Sequence, residues 1–188
     1  MLRYNPNFIE LKKSRESMKT IEERMSAYAA YHQNPKNKLT HFFGVPMVYY
    51  SPLIPIGWIR FEILGQDFSL AWVVFLATMV WYFSLDWKLA SIMTIISLPI
   101  VYGCDLIAKF PFRESLVIFL FIKIIGWIIQ LIGHVFEGRR PALVDNLVQA
   151  LMAPLFLIAE VLFALGLRKE LAREVNSRVA VYEFPGKK

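Results

Sequence analysis

Three histidines are the residues of this chain best suited to metal chemistry. The 188-residue sequence contains only His32, His41 and His134. Glu137 follows His134 by three residues, so the two side chains would share one face of a helix. Neutral imidazole with carboxylate is the ligand set of mononuclear non-haem Fe(II) sites, which keep positions open for substrate and oxygen. Zinc accepts the same ligands. The pattern predicts a metal site of three histidines, with Glu137 as a candidate fourth ligand.

The first two histidines flank a turn that contains a proline. Pro35 ends a preceding helix, because the residue before a proline is pushed out of the helical region. Such a turn can fold the rings of His32 and His41 to one point. Asn37 lies between them and is expected to support the site with a hydrogen bond. For each histidine taken alone, the alternative is a structural hydrogen-bonding role at a membrane interface.

The composition is that of an integral membrane protein. Hydrophobic residues make up 56% of the chain, and the mean hydropathy is +0.45. The apolar residues form blocks close to the roughly 20 residues that a helix needs to cross a bilayer. We predict an all-α, polytopic membrane bundle of four to five apolar helices. The blocks cover residues 39–59, 68–85, 89–107, 115–136 and 147–167.

An amphipathic helix is predicted before the first apolar block, over residues 17–32. Ile21, Met25, Tyr28 and His32 follow one another at helical spacing and would share one face. Residues 1–16 form a polar leader, residues 17–170 a single membrane-embedded domain, and residues 171–188 a basic tail. Prolines in the first block predict that it is not one straight helix.

The distribution of charge predicts the topology. Lysine and arginine concentrate in the two terminal segments, which places both termini in the cytoplasm. The net charge of +6 therefore indicates contact with membrane lipids, not with nucleic acid. An even number of crossings is then required. We expect the first four blocks to cross and the fifth, with Pro154 and Glu160, to be re-entrant, which puts all three histidines on the cytoplasmic side.

The histidine stretches resemble the fungal-type 2-hydroxy fatty acid dioxygenase family. The first motif is His32-x4-Asn37-x3-His41-x2-Gly44-x-Pro46. The second is Gly133-His134-x2-Glu137-x-Arg139-x-Pro141-Ala142-Leu143. The stretch from Asn146 through Pro154 to Glu160 and Gly166 is also similar, so the resemblance covers about residues 20–170.

The resemblance implies an Fe(II)-dependent membrane enzyme of fatty acid α-oxidation. Such an enzyme uses O2 to shorten a 2-hydroxy fatty acid by one carbon, and in fungi it serves phytosphingosine breakdown in the endoplasmic reticulum. His32, His41 and His134 would be the essential metal-site residues of a catalytic domain over 17–170. Because this chain has only three histidines, Glu137 or Asn37 is expected to complete the shell.

The substrate's carboxylate requires a cationic partner. Arg139 and Arg140 are the candidates, since guanidinium binds carboxylate in a bidentate manner. Glu160, an ionisable residue in an apolar block, is a further candidate, as an arginine partner or a proton-handling group near the site. A bacterial inner membrane is favoured, or the endoplasmic reticulum in a eukaryote, and a homo-oligomer is compatible with the sequence. Two alternatives stay open: a non-enzymatic scaffold or lipid-binding protein, and a bis-histidine haem electron carrier.

Overall fold

The computed structural model describes residues 20–138 and 147–182 and is mostly helical. Its helices are α1 (Ile21–Tyr31), α2 (Pro35–Tyr50), α3 (Leu53–Ile56), α4 (Leu70–Leu85), α5 (Trp87–Ala108), α6 (Phe112–Glu137), α7 (Leu147–Ala164) and α8 (Lys169–Tyr182). Strands β1 (Arg60–Ile63) and β2 (Gln66–Ser69) pair as an antiparallel hairpin. The predicted helical architecture is confirmed, but the hairpin was not predicted. The polar leader, residues 1–16, lies outside the described residues.

Two of the described helices, α5 and α6, are each long and apolar enough to cross a membrane. Val148–Ala164 and Lys169–Tyr182 form a pair bent by 115°, which would count as a third span if the pair is one broken span. Helix α4 is apolar but shorter. Apolar side chains such as Val117, Phe121 and Ile124 are exposed on α6, as expected for a surface that faces lipid.

Helices α2 and α6 pack against each other in antiparallel orientation. A Cβ added at Gly44 would lie 2.7 Å from Cγ of Gln130, and one added at Gly126 would lie 2.7 Å from Cβ of Met47. Glycine is therefore required at both positions for this close approach. Small residues commonly permit such packing between membrane helices. Helices already surrounded by lipid gain nothing from the hydrophobic effect when they associate, so close contact is what holds them together.

The first apolar block is interrupted as predicted, and a lysine compensates for the break. Pro52 has no N–H, so it cannot donate to the carbonyl of Val48, four residues earlier. Lys123 Nζ on α6 donates to that carbonyl at 3.0 Å. An unpaired carbonyl in an apolar region would be costly. Lys123 thus stabilises the junction of α2 and α3.

The predicted amphipathic helix is present as α1 and packs on α7 and α8. Thr20 and Glu23 form a capping box at its N-terminus. The four residues of its predicted face are all buried: Ile21, Met25, Tyr28 and His32. Ser26 Oγ donates to the carbonyl of Val175 at 3.0 Å. Residues 171–182, which we expected in a basic tail, form most of α8 against this helix.

Ion pairs mark the two ends of the bundle. At the end nearest α1, Arg168 Nη1 donates to Asp86 Oδ1 at 3.0 Å and joins the α4–α5 turn to the α7–α8 connection. At the hairpin end, Arg60 Nη1 donates to Asp105 Oδ1 at 3.0 Å, and Trp58 Nε1 donates to Ser115 Oγ at 2.9 Å. We call these the α1 end and the hairpin end.

Candidate metal centre

The structure brings the three histidines together at the α1 end. His32 is the C-cap of α1, His41 lies in the second turn of α2, and His134 lies in the last turn of α6. Their ring centroids are 4.7 Å apart for His32 and His41, 5.5 Å for His32 and His134, and 4.9 Å for His41 and His134. One ring nitrogen from each lies within 4.8 Å of the others. All three side chains are buried.

Backbone carbonyls fix the orientation of two rings. His32 Nδ1 donates to the carbonyl of Tyr28 at 2.8 Å, and His41 Nδ1 donates to the carbonyl of Asn37 at 2.9 Å. A carbonyl only accepts hydrogen bonds, so each Nδ1 carries the proton. The lone pair of each neutral ring is then on Nε2, the nitrogen left to bind a metal. The Tyr28 ring stacks on His32, with centroids 4.1 Å apart.

Burial keeps these rings neutral. Desolvation, followed by the charge of His134, lowers the pKa of His41 to about 4. Desolvation and the neighbouring His41 lower the pKa of His32 well below its ordinary value. Neutral imidazole is the form that ligates metals. Both rings therefore need no deprotonation to bind a cation at neutral pH.

Gly133 permits the approach of His134 to His41. A Cβ added at Gly133 would lie 2.1 Å from Thr40 Oγ1 and 2.5 Å from Asn37 Oδ1. Polar oxygens of α2 thus occupy the space that a side chain would fill. Only glycine allows α6 to lie this close to α2 immediately before His134.

The carboxylate of Glu137, the candidate fourth ligand, binds the N-terminus of α2. Glu137 Oε2 accepts from the backbone N–H of Asn34 at 2.7 Å and from Asn37 Nδ2 at 3.2 Å. Asn34 Nδ2 donates to the carbonyl of Phe136 at 2.8 Å. A buried carboxylate is well placed at the positive end of a helix dipole. In the described part of the chain, the ligand atoms that converge closely enough to hold a metal ion belong to the three histidines, and Glu137 is not among them.

The remaining predicted residues differ in their positions. Asn37 supports two neighbours, because its carbonyl holds His41 and its amide holds Glu137. Glu160 pairs with Lys38 Nζ at 2.7 Å, so its partner is a lysine of α2 and not an arginine. Arg139 and Arg140 lie outside the described residues.

A largely apolar cavity of about 310 Å³ extends from the histidines into the bundle. Such a volume is at the lower end for small-molecule sites. Its lining on α6 runs from Lys123 to His134, a rise of roughly 16 Å, about half the thickness of a hydrocarbon core. Trp127 also lines it, whereas Phe42, Phe43 and Phe136 are exposed side chains outside its lining.

Sequence reasoning missed the polar face of α6 within this cavity. Lys123, Trp127, Gln130 and His134 all line it, and their spacings of four, three and four residues place them on one helical face. Polar residues at helical spacing in an otherwise apolar span were the available signal, because such residues usually face a cavity or the bundle interior.

Residues 18–165 match the family model described as 2-hydroxy-palmitic acid dioxygenase Mpo1-like. This chain belongs to the Mpo1-like family. It is also similar to the 2-hydroxy-palmitic acid dioxygenase MPO1 of Saccharomyces cerevisiae, with 35% identity over 162 residues, which cover 83% of this chain and 87% of the yeast protein. No solved structure gave a significant match.

The family resemblance carried by the two histidine motifs is therefore confirmed. The matched region of this Mpo1-like chain contains all three histidines and the lining of the cavity. Helix α8 lies beyond it.

Proposed function

We propose that this Mpo1-like chain is a membrane dioxygenase that binds Fe(II) at His32, His41 and His134 and shortens 2-hydroxy fatty acids by one carbon with O2. The observation that carries the proposal is the cluster of three buried histidines at one end of an apolar cavity. The name of the yeast relative supports the substrate class and the reaction.

The donor set fits a non-haem metal. Two histidines have Nδ1 held by backbone carbonyls and Nε2 free to ligate, and three protein ligands leave coordination positions for small molecules. When bound there, iron would supply redox chemistry with O2 and Lewis-acid positions for the hydroxyl and carboxylate of the substrate. Zinc suits the same donors but has no redox chemistry, so the proposed reaction selects iron.

The overall reaction balances with one O2 per substrate. A 2-hydroxy acid and O2 give the acid that is one carbon shorter, together with CO2 and water. The former C2 becomes the new carboxyl carbon, and O2 accepts the electrons released by this oxidation. No further reductant is required.

The residues of the chain position the substrate and exclude water. The apolar cavity lining accommodates the acyl tail, so the tail need not leave the bilayer. The carboxylate would stay at headgroup level, and we assign its pairing to Arg139 or Arg140, which follow the last turn of α6 in the sequence. Glu160 pairs with Lys38, whose positive charge contributes to lowering the pKa of His32. Glu137 and Asn37 hold α2 and α6 together beside the rings.

The proposed topology places the α1 end and both termini in the cytoplasm. Helix α7 supports this arrangement, because contacts from its middle to just beyond its end lie near the α1 end. The Phe156 ring lies 4.8 Å from that of Tyr28, Glu160 pairs with Lys38 near the start of α2, and Arg168 pairs with Asp86. A helix anchored in this way does not cross the bilayer. The basic terminal segments prefer the cytoplasmic side, in a bacterial inner membrane or in the endoplasmic reticulum of a eukaryote.

The geometry disfavours the haem alternative. The three rings lie at centroid distances of 4.7 to 5.5 Å and meet edge to face. A bis-histidine haem would need the porphyrin to lie between two of these rings, with one ring nitrogen pointing at the iron from each face. A purely structural scaffold has no use for the cavity that ends at these rings, whereas a lipid-binding protein would use it without converting its ligand.

The test is metal content with product analysis on the purified full-length protein. After reconstitution with Fe(II), we expect bound iron and conversion of 2-hydroxypalmitic acid to the acid that is one carbon shorter, measured by mass spectrometry. His134→Ala should lose both, whereas Gly103→Ala, where an added Cβ meets nothing within 4 Å, should keep both. Iron-loaded protein that consumes no O2 and yields no shortened acid would refute the proposal.

A further inference from the structure

Gln130 is half-buried, and its side-chain amide makes no hydrogen bond within residues 20–138 and 147–182. It lines the cavity together with His41 and His134. It lies one turn before His134 on the same face of α6, a rise of about 6 Å. Across the helix pair, its Cγ lies over Gly44 of α2, whose missing side chain leaves room for it.

Most of the other hydrogen-bonding side chains in the deeper part of the cavity have partners; the exception among the described residues is Trp127, whose indole N–H can only donate. Lys123 Nζ donates to the carbonyl of Val48 at 3.0 Å, Thr78 Oγ1 donates to the carbonyl of Val74 at 2.8 Å, and the hydroxyl of Tyr49 lies 3.2 Å from that of Tyr82. A polar group in an apolar environment is costly when it is left without a partner. Gln130 therefore stands out as an amide whose hydrogen-bonding capacity is available to a ligand.

We propose that Gln130 recognises the C2 hydroxyl of the substrate and so selects 2-hydroxy fatty acids over unsubstituted ones. This inference rests on the proposed function, in which the carboxylate end of the acid lies at the histidines. A fatty acyl tail has no polar group beyond that end, and the proposed function assigns the carboxylate to an arginine, so the hydroxyl is the group left for an amide to bind. An amide both donates and accepts, which suits a hydroxyl. A site that hydrogen-bonds a hydroxyl rejects the analogue that lacks it, because its own polar group is then left unpaired.

The decisive variant is Gln130→Met, which keeps an unbranched side chain of similar size against Gly44 and removes the amide. Binding of 2-hydroxypalmitic acid and of palmitic acid is measured without O2, by displacement of a fluorescent fatty acid from the iron-loaded protein. We expect the preference for the hydroxy acid to fall about three- to tenfold, the range for one hydrogen bond, with palmitic acid affinity unchanged within about twofold. Gln66→Met makes the same replacement in the exposed hairpin and should change neither affinity.

The two affinities separate the possible outcomes. An unchanged preference in Gln130→Met overturns the proposal, and so does an equal loss of both affinities, which would indicate a role in shaping the cavity. If Gln130→Met binds neither acid, Gln130→Asn, which withdraws the amide by one methylene, gives the same comparison and the same criteria. Wild-type protein that prefers the hydroxy acid but never converts it would refute the reaction and leave the selectivity standing. Wild-type protein that converts it while the variant keeps full preference would refute the selectivity alone.

Discussion

Gly133→Ala tests whether the close packing of α2 and α6 positions the three histidines of the candidate metal centre. The added Cβ would lie 2.1 Å from Thr40 Oγ1 and 2.5 Å from Asn37 Oδ1, whereas close carbon–oxygen contacts between helices are about 3.3 Å or longer. Thr40 can rotate its hydroxyl away. Asn37 cannot, because it is fully buried and its amide donates to Glu137. We therefore expect α6 to move away from α2 by about 1 Å, the shortfall from that contact distance.

The displacement should damage the site more than the fold. Overpacking of this kind costs about 1–3 kcal/mol, and alanine returns about 1 kcal/mol of helix propensity relative to glycine. The net loss of stability is thus small. His134 follows the substituted residue directly, and a shift of about 1 Å in a reacting group can lower a rate about 100-fold.

The assay compares thermal unfolding, iron content and turnover of 2-hydroxypalmitic acid in Gly133→Ala and in a matched glycine variant. Gly103→Ala is the control, because an added Cβ there meets nothing within 4 Å. We expect it to be at least as stable as the wild type and fully active. Gly133→Ala should fold but bind iron weakly and turn over slowly. If its iron content and turnover equal those of the wild type, close packing at Gly133 does not position the site.

Further predictions concern the supporting residues. Lys123→Met should lower the thermal stability by about 1–3 kcal/mol, because the carbonyl of Val48 loses its donor. Adding Pro52→Ala to Lys123→Met should restore most of this stability, because the alanine supplies a backbone N–H to the Val48 carbonyl. If the losses of the two changes simply add, Lys123 does not have this role. Glu137→Gln should keep bound iron, because an amide oxygen can still accept from α2, whereas Glu137→Ala should unfold more readily. Loss of iron from Glu137→Gln would instead indicate that the carboxylate ligates the metal. Metal-free protein should lose stability as the pH falls from about 6.5 towards 4, because the lowered pKa of His41 means that the unfolded chain binds more protons in that window. The slope is at most about 1.4 kcal/mol per pH unit for this ring, and a flat thermal profile between pH 7 and 5 would contradict it.

The helices and the convergence of the histidines could be predicted because each rests on local or additive signals. The face of α1 follows from helical spacing, and the apolar blocks coincide closely with α4 to α7. Asn34 and Pro35 were interpreted as a turn, yet they begin α2 as its N-cap and first residue. Both interpretations fit an Asn-Pro pair, because it favours turns and also helix starts.

The features that were missed depend on contacts between distant segments. The hairpin turns at Leu64 and Gly65, which both have positive φ, and a leucine at such a position is not a usual hairpin signal. The bond made by Lys123 and the position of Gln130 over Gly44 depend on which residues of α2 lie opposite them, and the sequence of α6 does not contain that information. For the same reason Glu137 was predicted as a ligand from its spacing to His134, before its contacts with Asn34 and Asn37 were visible.

The end of α1 shows how a local signal determines the chemistry of a distant site. Helix α1 stops at Tyr31, and the backbone N–H of His32 donates to the carbonyl of Ala29 at 3.0 Å. The carbonyl of Tyr28 is thus one of those left over in the last turn of a helix. It accepts Nδ1 of His32 instead, which places the lone pair of that ring on Nε2. A helix that continued past residue 32 would engage the Tyr28 carbonyl with a backbone N–H and compete with this bond. The break before Pro35 therefore both releases the chain to form α2 and presents the first histidine in the tautomer whose Nε2 is available to a metal.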